Sequence, residues 1–369
     1  MRPLIKWPGG KSGEIKKIER IIPEFKRYIE PFFGGGALFF HLKPENAVIN
    51  DISKDLIEYY RLIKKQDKEL RSLLLCYDTG FANIISVCER HYGDLLSIYA
   101  LSAQNGQKAA GAVSELTSNL KCEITRGVSE ILLSDDREFI SHINKTAADK
   151  IRRTVKNDLK QPFCDEDLKN NLITGFTSGF YMYFRKVFND MNLGRIASPS
   201  VQYKAANFYF IREYCYGSMF RYNKNGEFNI PYGGMSYNKK NFSEKIENMF
   251  CKDAESIFKN TEILCSDFED FFDLCEIKSD DFMFLDPPYD TDFSDYEGSD
   301  FTKSDQDRLA RRLKKTPAQF ILVIKNTDFI HSLYKDDFNI LSFDNRYTYN
   351  VRSRNDRSAE HLIITNLPV

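Results

Sequence analysis

Asp286-Pro287-Pro288-Tyr289 closes an apolar run, Phe282-Met283-Phe284-Leu285, and its residue types suit a flat aromatic amine. The lone pair of an exocyclic amine on a nucleobase is delocalised into the ring, so the nitrogen is a poor nucleophile. Hydrogen bonds from both of its N–H groups favour a more tetrahedral nitrogen. Asp286 offers a carboxylate to accept one, the Pro287 carbonyl offers a second acceptor, and Tyr289 offers a ring to stack on the base. Two successive prolines fix φ and restrict the residue before each, so strand pairing stops and the chain turns rigidly. Asp-Pro-Pro is also an ordinary turn after any strand, and the tetrapeptide alone divides the two readings evenly.

The elements around it decide where such a turn points. Phe282 to Leu285 reads as a short buried strand, and open α/β sheets bind ligands beyond the carboxyl ends of their strands. Near the N-terminus, Tyr28-Ile29 predicts a strand entering a glycine loop at Phe33-Gly34-Gly35-Gly36. A helix follows over 37–42, a strand over 47–49 and a crossover helix over 55–65, a pattern of mostly parallel sheet flanked by helices. Strand-like runs return at 263–265, 320–324 and 361–365, and Tyr347-Thr348-Tyr349-Asn350-Val351 suggests a closing hairpin before the last of them. Between these halves the pattern turns helical, with polar breaks at Ser102–Gly106 and at Gln161-Pro162. Its strongest helix spans Leu168 to Asp190, where Phe176, Phe180, Tyr183, Phe184 and Phe188 form a stripe that reads as core. The expected organisation is a discontinuous catalytic domain, 1–69 and 246–369, interrupted by a mostly helical insertion, 70–245.

Other strand ends carry further chemistry. The glycine loop is not G-x-G-x-x-G, but it follows a strand and opens a helix, where backbone N–H groups approach a cofactor. Asp51 ends the next strand, where a carboxylate can hold both ribose hydroxyls of a nucleoside. Asp267-Phe268 follows the strand at 263–265: the carboxylate suits an adenine amino group and the phenyl its face, with an ordinary helix N-cap the competing account of Asp267. Pro8-Gly9-Gly10-Lys11-Ser12 ends like a phosphate-binding loop, but G-x-x-x-x-G-K-[ST] would need glycine at position 5, which is Ile5. Lys11, near Trp7, is instead expected to face a cofactor carboxylate and the target site.

Composition narrows the class. With 369 residues, 42% of them hydrophobic, the chain can bury a sizeable core. No apolar stretch approaches the roughly 20 residues that cross a bilayer, so a cytoplasmic protein without a membrane partner is expected. Eight cysteines form no C-x-x-C pair and five histidines lie scattered, which points to a metal-free mechanism and reduced thiols. The net charge of -1 gives no global sign of nucleic-acid binding, but between Lys204 and Lys245 seven Lys/Arg face three acids. Tyr209, Tyr214, Tyr216, Phe220 and Tyr222 interleave with these cations as stacking and phosphate-contacting surfaces do. Arg346, Arg352, Arg354 and Arg357 crowd a second basic stretch.

Taken in order, Lys6-Trp7-Pro8-Gly9-Gly10-Lys11, Glu30-Pro31-Phe32-Phe33-Gly34-Gly35-Gly36, Asn50-Asp51, Asp267-Phe268 and Asp286-Pro287-Pro288-Tyr289 resemble the D12 class of DNA adenine-N6 methyltransferases, the Dam-like family. Ala205-Ala206-Asn207-Phe208 and the run from Phe220 to Gly233 look like that family's recognition hairpin, and residues 359–366 like its final strand. The resemblance covers roughly residues 1–65 and 204–369. It implies a Rossmann-like α/β fold and S-adenosylmethionine as methyl donor, with S-adenosylhomocysteine as product. The matching donor-binding positions are Trp7, Lys11, Phe32, Gly34, Gly35, Gly36, Asp51, Asp267, Phe268 and Asp286. Asp286, Pro287, Pro288 and Tyr289 would act on an adenine flipped out of double-stranded DNA. Tyr216, Met219, Arg221 and Asn223, near a hairpin at 216–234, would contact DNA, with Arg221 at the family's base-reading position. The chain departs from the family at Tyr216-Gly217-Ser218-Met219, where an Asn-Gly pair is usual, and in the length of its helical insert.

Three alternatives stand beside this reading. Cytosine-N4 methylation poses the same chemical problem, a non-catalytic DNA-binding relative would keep the fold, and phosphoryl transfer is disfavoured by Ile5. Monomer or dimer, a cognate restriction endonuclease and a bacterial or phage source all stay open at this level.

Overall fold

The computed structural model describes residues 1–128, 131–289, 301–346 and 358–368. They fall into two compact units, Met1–Lys65 with Cys251–Val369 and, separately, Gln66–Phe250.

The first unit is built on a seven-stranded sheet. Its strands are β1 (Arg27–Glu30), β2 (Ala47–Asn50), β3 (Thr261–Leu264), β4 (Asp281–Leu285), β5 (Gln319–Lys325), β6 (Asn339–Arg346) and β7 (Ser358–Thr365), in the order β3-β2-β1-β4-β5-β7-β6. β1 to β5 pair in parallel, and β7 lies antiparallel between β5 and β6. This is a Rossmann-like α/β sheet. Ile29 of β1 is level with Met283 of β4, so the chain leaves these two neighbours at nearly the same height. The strand order reverses between them, and an open α/β sheet places its ligand at such a switch point.

Alternation along the strands covers both faces of the sheet. Ile29, Val48, Met283, Leu285, Phe320 and Leu322 are buried with the helices Phe268–Leu274, Lys303–Leu313 and Asp328–Tyr334. Tyr28 meets Phe282 and Phe39, and Phe39, Phe40 and Tyr60 pack on Phe258, joining the helices Ala37–Leu42, Lys54–Lys64 and Lys252–Lys259. Local chemistry starts these helices where the chain leaves each strand. Ser53 Oγ accepts from Leu56 N, Asp267 accepts from Glu269 N, and Thr302 and Asp305 form a reciprocal capping box.

β6 is a strand beyond those expected. It is the outer edge of the sheet, and the antiparallel β6–β7 pair begins upstream of the stretch read as a closing hairpin. Residues 347–351, like Arg352, Arg354 and Arg357, lie outside the described residues. Among the described residues no helix is long and apolar enough to cross a membrane.

The second unit is helical. Its longest members are Lys68–Arg90, Asp136–Asp158, Asp165–Asn192 and Val201–Tyr214. The aromatic stripe of Asp165–Asn192 is core as expected, with Phe176, Phe180, Tyr183, Phe184 and Phe188 all buried. Ala205–Phe208 lies inside the helix Val201–Tyr214 rather than in a hairpin, where Asn207 Nδ2 donates to Tyr77 Oη at 3.0 Å. The hairpin that follows is held by the antiparallel bridges Cys215↔Tyr232 and Tyr222↔Phe228.

Candidate active site and base-reading hairpin

The N-terminal turn, the glycine loop after β1 and the turn after β4 meet at the switch point. Lys11 is buried, and its Nζ lies 2.6 Å from Asp286 Oδ1, 2.6 Å from Tyr289 Oη and 3.2 Å from the Gly9 carbonyl. The lysine thus holds a carboxylate and a phenol together, a different use from that of a phosphate-loop lysine. Asp286 keeps a fifth of its side chain exposed. Its surroundings push the carboxyl above the ordinary carboxylate range, because burial outweighs the opposing pull of Lys11. The turn is braced from behind by Gln306, fully buried on Lys303–Leu313, whose Nε2 donates to the Pro288 carbonyl at 2.9 Å.

Trp7 lies on the glycine loop. A Cβ at Gly34 would stand 2.6 Å from Trp7 Cδ1, and the loop takes left-handed φ at Gly34 and Gly36, so both positions require glycine. Asp51 fixes the loop from the next strand: Oδ2 accepts from Gly34 N at 2.8 Å and Oδ1 from Ser53 N at 2.9 Å. Burial raises the Asp51 carboxyl, and these backbone donors oppose the rise. Asn50 ties three ends together, donating to the Pro31 and Ser266 carbonyls and accepting from Ser266 N. Glu30, fully buried, accepts from Tyr28 Oη at 2.9 Å, and burial holds its carboxyl well above its usual range.

At the end of β3, Asp267 Oδ1 caps the following helix through Glu269 N and accepts from Arg308 Nη2 at 2.7 Å. Both the N-cap and an ion pair therefore occupy that oxygen. Phe268 is buried under the Arg308 guanidinium, 4.8 Å from its ring centroid, and packs on Phe32 and Phe301. Phe32 and Phe301 are the half-buried rings of that cluster. Ile52, beside Asp51, is an apolar residue 55% exposed at the end of β2. Nothing in the sequence marks it, since its exposure shows only in the fold, and Gln306, Arg308 and Glu14 likewise reach the site only through tertiary folding.

In the helical unit, Tyr216 and Arg221 are exposed and Met219 half-buried. Arg221 Nε donates to Asn229 Oδ1 across the hairpin at 3.2 Å, which stiffens a side chain that still faces solvent. Asn223 is used inside the hairpin: Oδ1 accepts from Asn225 N and Glu227 N, and Nδ2 donates to Glu227 Oε2. Three of the interleaved aromatics are not a stacking surface. Tyr209, Tyr214 and Phe220 are buried, with Tyr214 4.5 Å from the Phe81 ring and Phe220 under the Arg212 guanidinium at 3.8 Å. Tyr209 and Tyr214 lie on a helix whose residues 205–214 are all buried, and Phe220 packs inside the hairpin against Phe228, despite the cations beside them in sequence. Among the described residues no group of His, Cys, Asp and Glu is placed to hold a metal ion.

Comparison with known proteins gives several matches. A family model described as D12 class N6 adenine-specific DNA methyltransferase matches residues 7–83 and 122–349. The chain is 27% identical to the Type II methyltransferase M.CviBI of Paramecium bursaria Chlorella virus NC1A, over 99% of this chain and 100% of that one. It is 28% identical to the Type II methyltransferase M.MjaIII of Methanocaldococcus jannaschii, over 92% and 90%. A DNA adenine methylase of Vibrio cholerae serotype O1 is 22% identical, over 96% and 92%.

Proposed function

Because this chain belongs to the D12 class of N6 adenine-specific DNA methyltransferases, we propose that the strand-end cluster at Asp286 is its catalytic centre and that double-stranded DNA is bound with the target adenine flipped out. The family draws its methyl group from S-adenosylmethionine, which supplies an electrophilic methyl on a sulfonium and is released as S-adenosylhomocysteine. The residues present suit that donor. Asp51 has a second lone pair on each oxygen for ribose hydroxyls, Ile52 and Phe32 offer apolar surface for an adenine, and Asp286 is an anion for a cationic centre. Phe268, buried under Arg308, supports Phe32, and Asp267 orders the β3 end through its cap.

The observation that carries the reading is the Lys11–Asp286–Tyr289 contact at the β1/β4 switch point. Lys11 takes Oδ1 of Asp286, and Oδ2 accepts one N6 hydrogen while the Pro287 carbonyl accepts the other. Tyr289, held by Lys11 through its hydroxyl, presents its ring to the base. Flipping costs a few kcal/mol, which stacking and these hydrogen bonds offset. Methylation replaces an N6–H by N6–CH3, and the proton released passes to Asp286 Oδ2 and on to solvent. The centre works by positioning and electrostatics, with no covalent enzyme intermediate and no metal. Arg221, exposed on the hairpin, is the candidate base reader, since arginine bidentate to guanine is the commonest specific contact. Tyr216 and Met219 flank it, and Asn223 shapes the hairpin tip.

Expression in a methylation-free host, followed by modification-sensitive long-read sequencing, tests the proposal. The expected result is one sequence motif with methylated adenines, lost in Asp286→Ala while donor binding measured by calorimetry persists. Full methylation by Asp286→Ala would remove Asp286 from the chemistry.

A further inference from the structure

The amine-binding turn rests on a second buried pair of ionisable groups that the reading above leaves unused. His361, in β7, is 1% exposed, and its Nδ1 lies 3.3 Å from Glu14 Oε1, itself 8% exposed. Glu14 sits one turn beyond Lys11, and its N–H donates to the Lys11 carbonyl at 2.8 Å. The His361 ring meets Tyr289 edge to face at 5.5 Å and Phe343 at 5.7 Å. Two pairs, Lys11–Asp286 and Glu14–His361, therefore leave one short N-terminal turn, and Lys11 meets the Tyr289 hydroxyl while His361 meets its ring. Buried polar groups placed this way constrain one another, because moving one leaves the others desolvated.

Their fields overlap at Asp286. Glu14 pushes its carboxyl up, while Lys11 and His361 hold it down. Lys11 and Glu14 face it from the N-terminal turn, Glu30 from β1, Tyr289 from its own segment and His361 from β7. His361 is faced in turn by Glu14, Tyr289 and Phe343. Lys325 is its register partner on β5, and Lys17 stands 4.4 Å over the Phe343 ring.

We propose that Glu14 and His361 are a positioning pair for methyl transfer, seating the Tyr289 ring against the base and balancing the charge that Asp286 feels. The pair touches neither base nor donor and acts through those two residues. The inference rests on the assignment of Asp286 as the N6 acceptor.

The test is the pH dependence of kcat on unmethylated plasmid DNA for the full-length protein and the variants Glu14→Gln, His361→Gln and His361→Phe, with thermal unfolding to verify folding. Removing the Glu14 charge should move the acidic limb to lower pH, and removing His361 should move it to higher pH, each by about half a unit or more. His361→Phe keeps the ring contact with Tyr289, so its KM for DNA should stay near that of the unmodified protein while its limb still shifts; His361→Gln should raise KM as well. A role confined to stability would lower melting temperatures without separating the limbs. Unmoved limbs, or limbs moving the same way in the Glu14 and His361 variants, overturn the inference, and either folded His361 variant suffices for the comparison. An acidic limb that survives Asp286→Asn would instead overturn the assignment of Asp286, an outcome read without reference to the pair.

Discussion

On the proposed reading Asp286 accepts the amine hydrogen best as the carboxylate; burial pushes its proton affinity up, and Lys11 opposes that rise. The sign follows directly: activity is retained above the raised value and lost as pH falls through it. In the unsubstituted protein the acidic midpoint of kcat should therefore lie above the ordinary carboxylate value of about 4, and Lys11→Met should raise it further while lowering kcat. A midpoint unchanged by Lys11→Met would contradict the role of the ion pair. Glu30 carries a different consequence, for stability. Its folded value is raised well above the unfolded one, so its contribution is full below the unfolded pKa and is lost as pH rises toward the folded pKa. Glu30→Gln needs no proton and still offers an acceptor to Tyr28. Its melting temperature should match that of the parent protein near pH 4 and exceed it by a few degrees at pH 8. A gap constant with pH in thermal unfolding would count against this.

At the scale of elements, the helix Lys303–Leu313 locks the site together. Gln306 holds the turn after β4, and two residues on, Arg308 holds Asp267, Glu269 and Asp305 with bonds of 2.6–2.7 Å. Gln306→Leu leaves the Pro288 carbonyl without this donor, at a cost of about 1–3 kcal/mol. The predicted readout is a fall in kcat of about tenfold or more with donor affinity little changed; a drop in melting temperature alone would restrict Gln306 to stability. Strand ends are also where the sequence was most readable. Glycines, prolines and strand-end acids are local signals, and β1, β2, β4 and the glycine loop follow from them within a residue or two. β6 was missed because Asn339–Arg346 mixes Asn, Ser, Asp and Arg into an edge strand that needs only one paired side. Tyr209, Tyr214 and Phe220 were misplaced because interleaving along the chain does not tell that a helix is buried on all sides or that a hairpin ring packs inward. That Arg308, 41 residues away, shares the Asp267 oxygen with the helix cap has no local signal in the sequence.

For the molecule as a whole, on the proposed reading chemistry and address fall in different units. Asp-Pro-Pro-Tyr and the donor-side motifs belong to the sheet unit, while Tyr216, Met219 and Arg221 belong to the helical one. Arg221→Ala should therefore relax sequence choice by about 1–3 kcal/mol at one base pair while sparing the chemistry. Sequencing of methylated genomes from both proteins checks it, and an unchanged motif with uniformly weaker methylation would make Arg221 a phosphate contact instead. The central claim is that Asp286 makes an adenine amine reactive. Its most direct test is nucleoside mass spectrometry of unmethylated DNA after incubation with S-adenosylmethionine and either the unsubstituted protein or a folded Asp286→Ala variant. The account predicts N6-methyladenine from the first, at least about a thousandfold less from the second, and no N4-methylcytosine from either. N4-methylcytosine as the product, or equal N6-methyladenine from both proteins, would contradict it.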